Sequence, residues 1–156
     1  KVVAHNPEVK PHVVITHQTT DYNPDHRATS AAVTGACLLA RVGEVKTGHS
    51  PFKVGCLYYS DTTSGVNSHV QVYVDIGETV EVKSAALREH RSLSVQAGVE
   101  HLGSIEHLIE RDEALARTRG NQVEVEFAEA FALVTNYRVM RAFELLPVPD
   151  APLAEG

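Results

Sequence analysis

Apolar and polar positions follow two alternating rhythms along this chain. His12-Val13-Val14-Ile15-Thr16-His17 is a short, nearly continuous apolar run introduced by Pro11, the pattern of a strand buried on both faces of a parallel sheet. From Pro24 to about Arg41, Ala28, Ala31, Ala32, Gly35, Leu38 and Leu39 recur at helical spacing, and Asn23 followed by Pro24 is a strong helix start. After a Gly- and Pro-containing stretch from Gly43 to Lys53, Val54 to Ser60 reads as a second buried strand and Asp61 to Ser68 as a polar loop. Val70, Val72 and Val74 alternate with Gln71, Tyr73 and Asp75, which predicts a half-exposed strand, and Glu78 to His90 returns to a helical pattern through Val82, Ala86 and Leu87. Val99 to Arg117 is amphipathic, with Leu102, Ile105, Leu108 and Ile109 opposed to Glu106, Glu110, Arg111 and Asp112, and Gly120 marks its expected end. Val123, Val125 and Phe127 alternate with glutamates as an edge or half-buried strand would, whereas Ala128 to Leu146 fits a strand, a helix, or one followed by the other.

Strands alternating with helices predict an α/β fold, an open Rossmann-like and mostly parallel sheet flanked by helices. Such sheets place their ligands beyond the C-terminal ends of the strands, and the loop from Gln18 to Asn23 lies there. With 156 residues and 43% hydrophobic content the chain is enough for one core but short for two, so residues 1–147 read as one unit and 148–156 as a loose tail. The first residue is Lys1 rather than Met, and the sheet is expected to be incomplete at its N-terminus.

Charge and composition narrow the partners. Fourteen Lys and Arg against twenty Asp and Glu give a net charge of −6 with no basic cluster, which argues against nucleic acid. No apolar stretch approaches the roughly 20 residues needed to span a bilayer, and no signal-peptide pattern opens the chain, so a cytoplasmic protein is expected. Cys37 and Cys56 each sit among apolar neighbours and read as reduced core residues, with a disulfide as the alternative. No Gly-rich strand-to-helix turn is present to cradle a nucleotide phosphate.

The segment with chemistry is Thr16-His17-Gln18-Thr19-Thr20-Asp21-Tyr22-Asn23-Pro24-Asp25-His26-Arg27, running from a strand end into a helix start. With Asn23 as N-cap and Pro24 at the first helical position, His26 falls in the first turn, where the positive end of the helix dipole favours a neutral, metal-competent imidazole. Asp25 is favoured electrostatically in the same turn and is expected to orient a neighbouring group. Asn-Pro-Asp is also plain capping chemistry, and a histidine beside it is often a surface residue. A single His is insufficient for catalytic zinc, which usually takes three protein ligands. His17 closes the first strand and faces either the cleft or solvent, while His5, His12, His49, His69, His101 and His107 read as solvated.

Pro11 to His17 and then Asp21-Tyr22-Asn23-Pro24-Asp25-His26-Arg27 resemble the Pro-Asp-Val-Val strand and His-Pro-Asp-His-Arg helix start of the LmbE-like (PIG-L) family of metal-dependent N-deacetylases. The resemblance extends through Val74-Asp75-Ile76, Lys83, Ala86-Leu87 and His90 to Ala128-Glu129-Ala130-Phe131, nearly the whole chain. It implies a hydrolase that removes an N-acetyl group from an amino sugar or its conjugate, with His26 as a zinc ligand. The remaining ligands and the general base would come from an N-terminal His-Pro-Asp-Asp segment that this sequence lacks; His5-Asn6-Pro7-Glu8 is a poor substitute. Asn23 stands at the motif's first His, and Leu93 replaces a Gln. An amide does not donate protons as an imidazolium does, so His17 or His90 is expected to serve the departing amine, and Tyr22, Asn23 and Arg27 to lie near the substrate. The resemblance also implies a small-molecule substrate and a homo-oligomer. A non-catalytic, degenerate homologue acting as a binding or assembly module is the alternative.

Overall fold

The structure, a computed structural model, describes residues 9–43, 50–90 and 104–135. Expectations for His5, His49, Leu93 and His101, for the first residues of the Val99 helix, for 136–146 and for the tail fall outside the described residues.

Among the described residues seven elements follow one another: β1 (Val13–Thr16), α1 (Pro24–Leu39), β2 (Cys56–Ser60), β3 (Val72–Asp75), α2 (Val80–Arg88), α3 (Ile105–Asn121) and β4 (Ala128–Leu133). The strands form one sheet in the order β1-β2-β4-β3. β1 pairs in parallel with β2, joining Val14 to Leu57 and Thr16 to Tyr59, and α1 supplies the crossover such a pair requires. β4 runs antiparallel to both of its neighbours. Three strands therefore share one direction, but the β1–β2 ladder is the parallel one among the described residues, and the α/β sheet is mixed.

Among the described residues, two apolar clusters hold the layers together. Cys37 of α1, fully buried, packs with Val54, Leu57 and Val134, flanked by Val14, Val33, Phe52 and Tyr59. Ile76, Val80, Ala116 and Phe127 form the second cluster, where α2 and α3 meet the start of β4. Burial on both faces of β1, expected from its apolar run, is not found: Val14 packs on the core, while Val13 and Ile15 on the other face remain 52% and 56% exposed. No described element covers that face.

The expected strand through Val123, Val125 and Phe127 is also corrected. α3 continues to Asn121, and residues 122–126 form a turn with Glu124 in the left-handed region at φ 62°. Gly120 is required less as a helix terminator than for close approach, because a Cβ there would lie 2.6 Å from the Val125 carbonyl oxygen and 2.7 Å from that of Glu126. The undecided stretch opens as strand β4, whose alternating Ala128, Ala130 and Ala132 are buried.

Candidate metal centre

The strand end and the helix start meet at a corner built by local hydrogen bonds. Asn23 is the N-cap of α1, its side-chain oxygen accepting from Asp25 N at 2.9 Å, with Pro24 in the first turn. One step earlier, Asp21 Oδ1 accepts from Asn23 N at 2.8 Å, a turn that leaves Oδ2 directed elsewhere. Arg27 reaches back from α1, and its Nη1 donates to the carbonyls of Asp21 at 2.7 Å and Tyr22 at 2.8 Å. Sequence and backbone thus hold the loop in one shape before any ligand is considered.

Inside this corner Asp21, 4% exposed, places Oδ2 at 3.1 Å from His26 Nδ1. The approach is close, yet Nδ1 has no aligned hydrogen-bond partner among the described residues. His17 stacks on His26 with ring centroids 4.0 Å apart and planes 4° from parallel, and Tyr22 sits edge-on to His26 at 6.4 Å. His17, Asp21 and His26 each offer a ligand atom within 4.8 Å of the others. Burial costs the Asp21 carboxylate, but the Asn23 N–H and then His26 outweigh that cost and hold its pKa below the usual value. Burial, with the neighbouring His26, pushes the His17 imidazole down, so it stays neutral at neutral pH.

A second observation marks the same place. Four buried side-chain polar atoms lack a partner among the described residues: Thr16 Oγ1, Gln18 Nε2, His26 Nδ1 and Ser30 Oγ. All lie between the end of β1 and the second turn of α1, and Ser30 follows His26 by four residues on the same helix face. Native proteins leave few such groups unpaired, so their concentration here points to something that completes them.

Two imidazoles and a carboxylate are the donor chemistry of zinc and related divalent ions, and in this respect the residues fit a metal. The fit is better for Asp21 and His26 than for His17. An imidazole lone pair lies in the ring plane, so two parallel rings 4.0 Å apart aim their lone pairs side by side rather than at one point. His17 must turn before it can share an ion with His26.

The structure brings His26, His17, Tyr22, Asn23 and Arg27 to this corner and separates the other expected residues from it. Asp25 is exposed, and its carboxylate makes no hydrogen bond or ion pair with a described residue; the carboxylate beside His26 is Asp21 instead. The cause is the cap: Asn23 Oδ1 takes the Asp25 N–H, and at the second helical position the Asp25 side chain points outward. His90 closes α2, exposed, its N–H on the Leu87 carbonyl, and it is not among the clustered donors. Asp21 was missed as a contact of His26 because its signal was faint: an acid two residues before an N-cap reads as a turn former.

No protein-family model matches this sequence, and no curated protein sequence matches it. Solved structures do. The chain is similar to the 4-carboxy-2-hydroxymuconate hydratase GalB of Pseudomonas putida, with TM-score 0.68 and 20% identity over 85% of this chain and 56% of that one. It is similar to the conserved protein TT1542 of Thermus thermophilus, with TM-score 0.72 and 23% identity over 99% and 61%. It is also similar to the N,N'-diacetylchitobiose deacetylase of Pyrococcus horikoshii, with TM-score 0.67 and 19% identity over 93% and 54%. These likenesses show the fold alone: the chain shares an α/β architecture with these three proteins. It spans between 54% and 61% of the length of these neighbours.

Proposed function

We propose that the complete protein is a zinc-dependent amide hydrolase that removes an N-acetyl group from an amino sugar or its conjugate, with His26 as a metal ligand. The observation that carries this reading is the convergence of His26 and Asp21, ringed by unpaired buried polar atoms, beyond the C-terminal end of β1. The deacetylase neighbour supports the amide substrate class. Asp21 and His26 would hold the ion together with donors from outside this chain, and the ion would supply a Lewis acid for the acyl carbonyl and hydroxide at neutral pH.

The chain's own residues prepare that chemistry. Asp21 stays ionised beside His26, while Arg27 clamps the loop that carries Asp21 and Tyr22. His17 is neutral at neutral pH, so its free nitrogen is able to take up a proton and deliver it to the departing amine, the task that Asn23 cannot perform. Tyr22, 65% exposed beside His26, offers its ring and hydroxyl to the substrate.

Metal analysis of the complete protein tests the reading. One zinc per chain is expected for wild type, and His26→Ala should lose both the metal and the hydrolysis of an N-acetylated amino sugar. A His26→Ala protein that keeps its metal would sink the proposal, and a wild type that holds none would leave the binding-module alternative.

A further inference from the structure

Beside the corner lies an open cleft of about 520 Å³, lined by Thr20, Tyr22, Ser64, Val66, Asn67 and Arg111. Three separate pieces of chain form it: the loop after β1, the loop after β2 and the middle of α3. The loops are tied to each other, Thr20 Oγ1 donating to the Asn67 carbonyl at 2.9 Å, and the second loop is closed on itself by Thr62 Oγ1 donating to the Val66 carbonyl at 2.9 Å. Tyr22 belongs to both places, lining the cleft while its ring stands edge-on to His26.

The charge of this cleft is out of keeping with a chain of net charge −6. Arg88 pairs with Glu106, Arg117 with Glu126 and Arg119 with Asp61, whereas Arg111 has neither a hydrogen bond nor an ion pair with any described residue. The acids around it are engaged elsewhere. Asp112 holds Lys83, Asp61 holds Arg119 and Ser68, and Glu110 faces His107. On α3 the positions three and four residues away from Arg111 are His107, Leu108, Ala114 and Leu115, none of them acidic. A guanidinium with five donors therefore faces a cleft whose other polar groups are hydroxyls and an amide.

Resting on the amide-hydrolase reading, we propose that this cleft is the subsite for an anionic substituent of the substrate, a carboxylate or a phosphate carried by the N-acetylated sugar. Arg111 pairs with the oxyanion, and Thr20, Ser64 and the Asn67 amide are placed to donate to it. The acetamide then lies toward His26, with Tyr22 between the two ends. A charge-assisted pair of this kind gives about tenfold in affinity per bond made.

The test is calorimetric binding to the complete protein in metal-free form, with N-acetylglucosamine, N-acetylmuramic acid and N-acetylglucosamine 6-phosphate as probes, followed by kcat/KM for the same three with zinc. The expected result is at least about tenfold tighter binding of one or both anionic sugars than of the neutral one, weakened by salt. The preferred sugar tells carboxylate from phosphate. Arg111→Gln should abolish the preference, and Arg111→Lys should keep part of it. Equal binding of all three sugars by wild type, or an unchanged preference in Arg111→Gln, overturns the subsite. If the anionic preference stands and depends on Arg111 but no amide is cleaved, the hydrolase reading fails and the subsite survives; cleavage without preference is the reverse.

Discussion

Two regions of the described structure gather ionisable side chains on opposite terms. Where α2 and α3 meet β4, Lys83 Nζ lies 2.8 Å from Asp112 Oδ2 and 2.7 Å from Glu129 Oε1. Burial there opposes the ammonium charge, but the two carboxylates outweigh it and push the Lys83 pKa up. Arg119 is held the same way, by Asp61 at 2.7 Å with Ser68, Gly65 and Gln122 filling its other donors. Every charge in these clusters meets its opposite. At the β1–α1 corner a carboxylate and two imidazoles crowd together instead, with His26 Nδ1 misaligned and three further buried polar atoms unpaired. Charges that satisfy one another serve as struts, whereas groups brought together and left unsatisfied mark a place that something else completes.

The contrast is tested most severely at Arg119. Arg119→Met leaves Asp61, 10% exposed, without its cation and should cost about 3 kcal/mol in chemical denaturation, with metal content unchanged. At the corner the pattern should invert: His26→Ala should lower zinc affinity of the complete protein on the order of 100-fold while moving the unfolding midpoint little. Lys83→Met should destabilise by about 1–3 kcal/mol and leave the metal in place, since it strands two carboxylates that bind no other described residue. Asp21→Asn keeps the oxygen that accepts from Asn23 N and removes the charge beside His26, so the fold should stand and zinc affinity fall about tenfold by competition titration.

The smallest effect concerns pH. His17 has a folded pKa below its unfolded value of 6.5, so the unfolded chain binds the extra proton first as the medium is acidified. Its contribution is fully present above 6.5 and is lost as pH falls through the lowered folded pKa. His17→Gln should therefore flatten the loss of stability on acidification below pH 6.5, while Lys83→Met should instead remove a contribution that wild type holds in full below pH 10.5 and loses as pH rises through the raised folded pKa. A His17→Gln protein with an unaltered acid limb would place that imidazole among ordinary solvated histidines.

Much of this was legible in the residues. Pro11 and the apolar run after it mark β1, and Asn23-Pro24 starts α1 where it is found, because caps and proline geometry act within a few residues. His26 in the first helical turn follows from the same local rules. Val123 to Phe127 misled because alternation is equally available to a turn: Gly120 lets the chain double back against the end of α3, and the close approach of the Val125 and Glu126 carbonyls to Gly120 overrode the pattern.

The sequence by itself determined β1, α1, the strand-to-helix corner between them and the position of His26, since each depends on hydrogen bonds and torsions between near neighbours. Only the tertiary structure decided that β4 enters the sheet antiparallel between β2 and β3, and that Arg111, unpaired among the described residues, stands over a cleft beside Tyr22. Those facts turn on which side chains meet across elements far apart in the chain. Such meetings are set by how the layers pack, a property that no short stretch of residues carries.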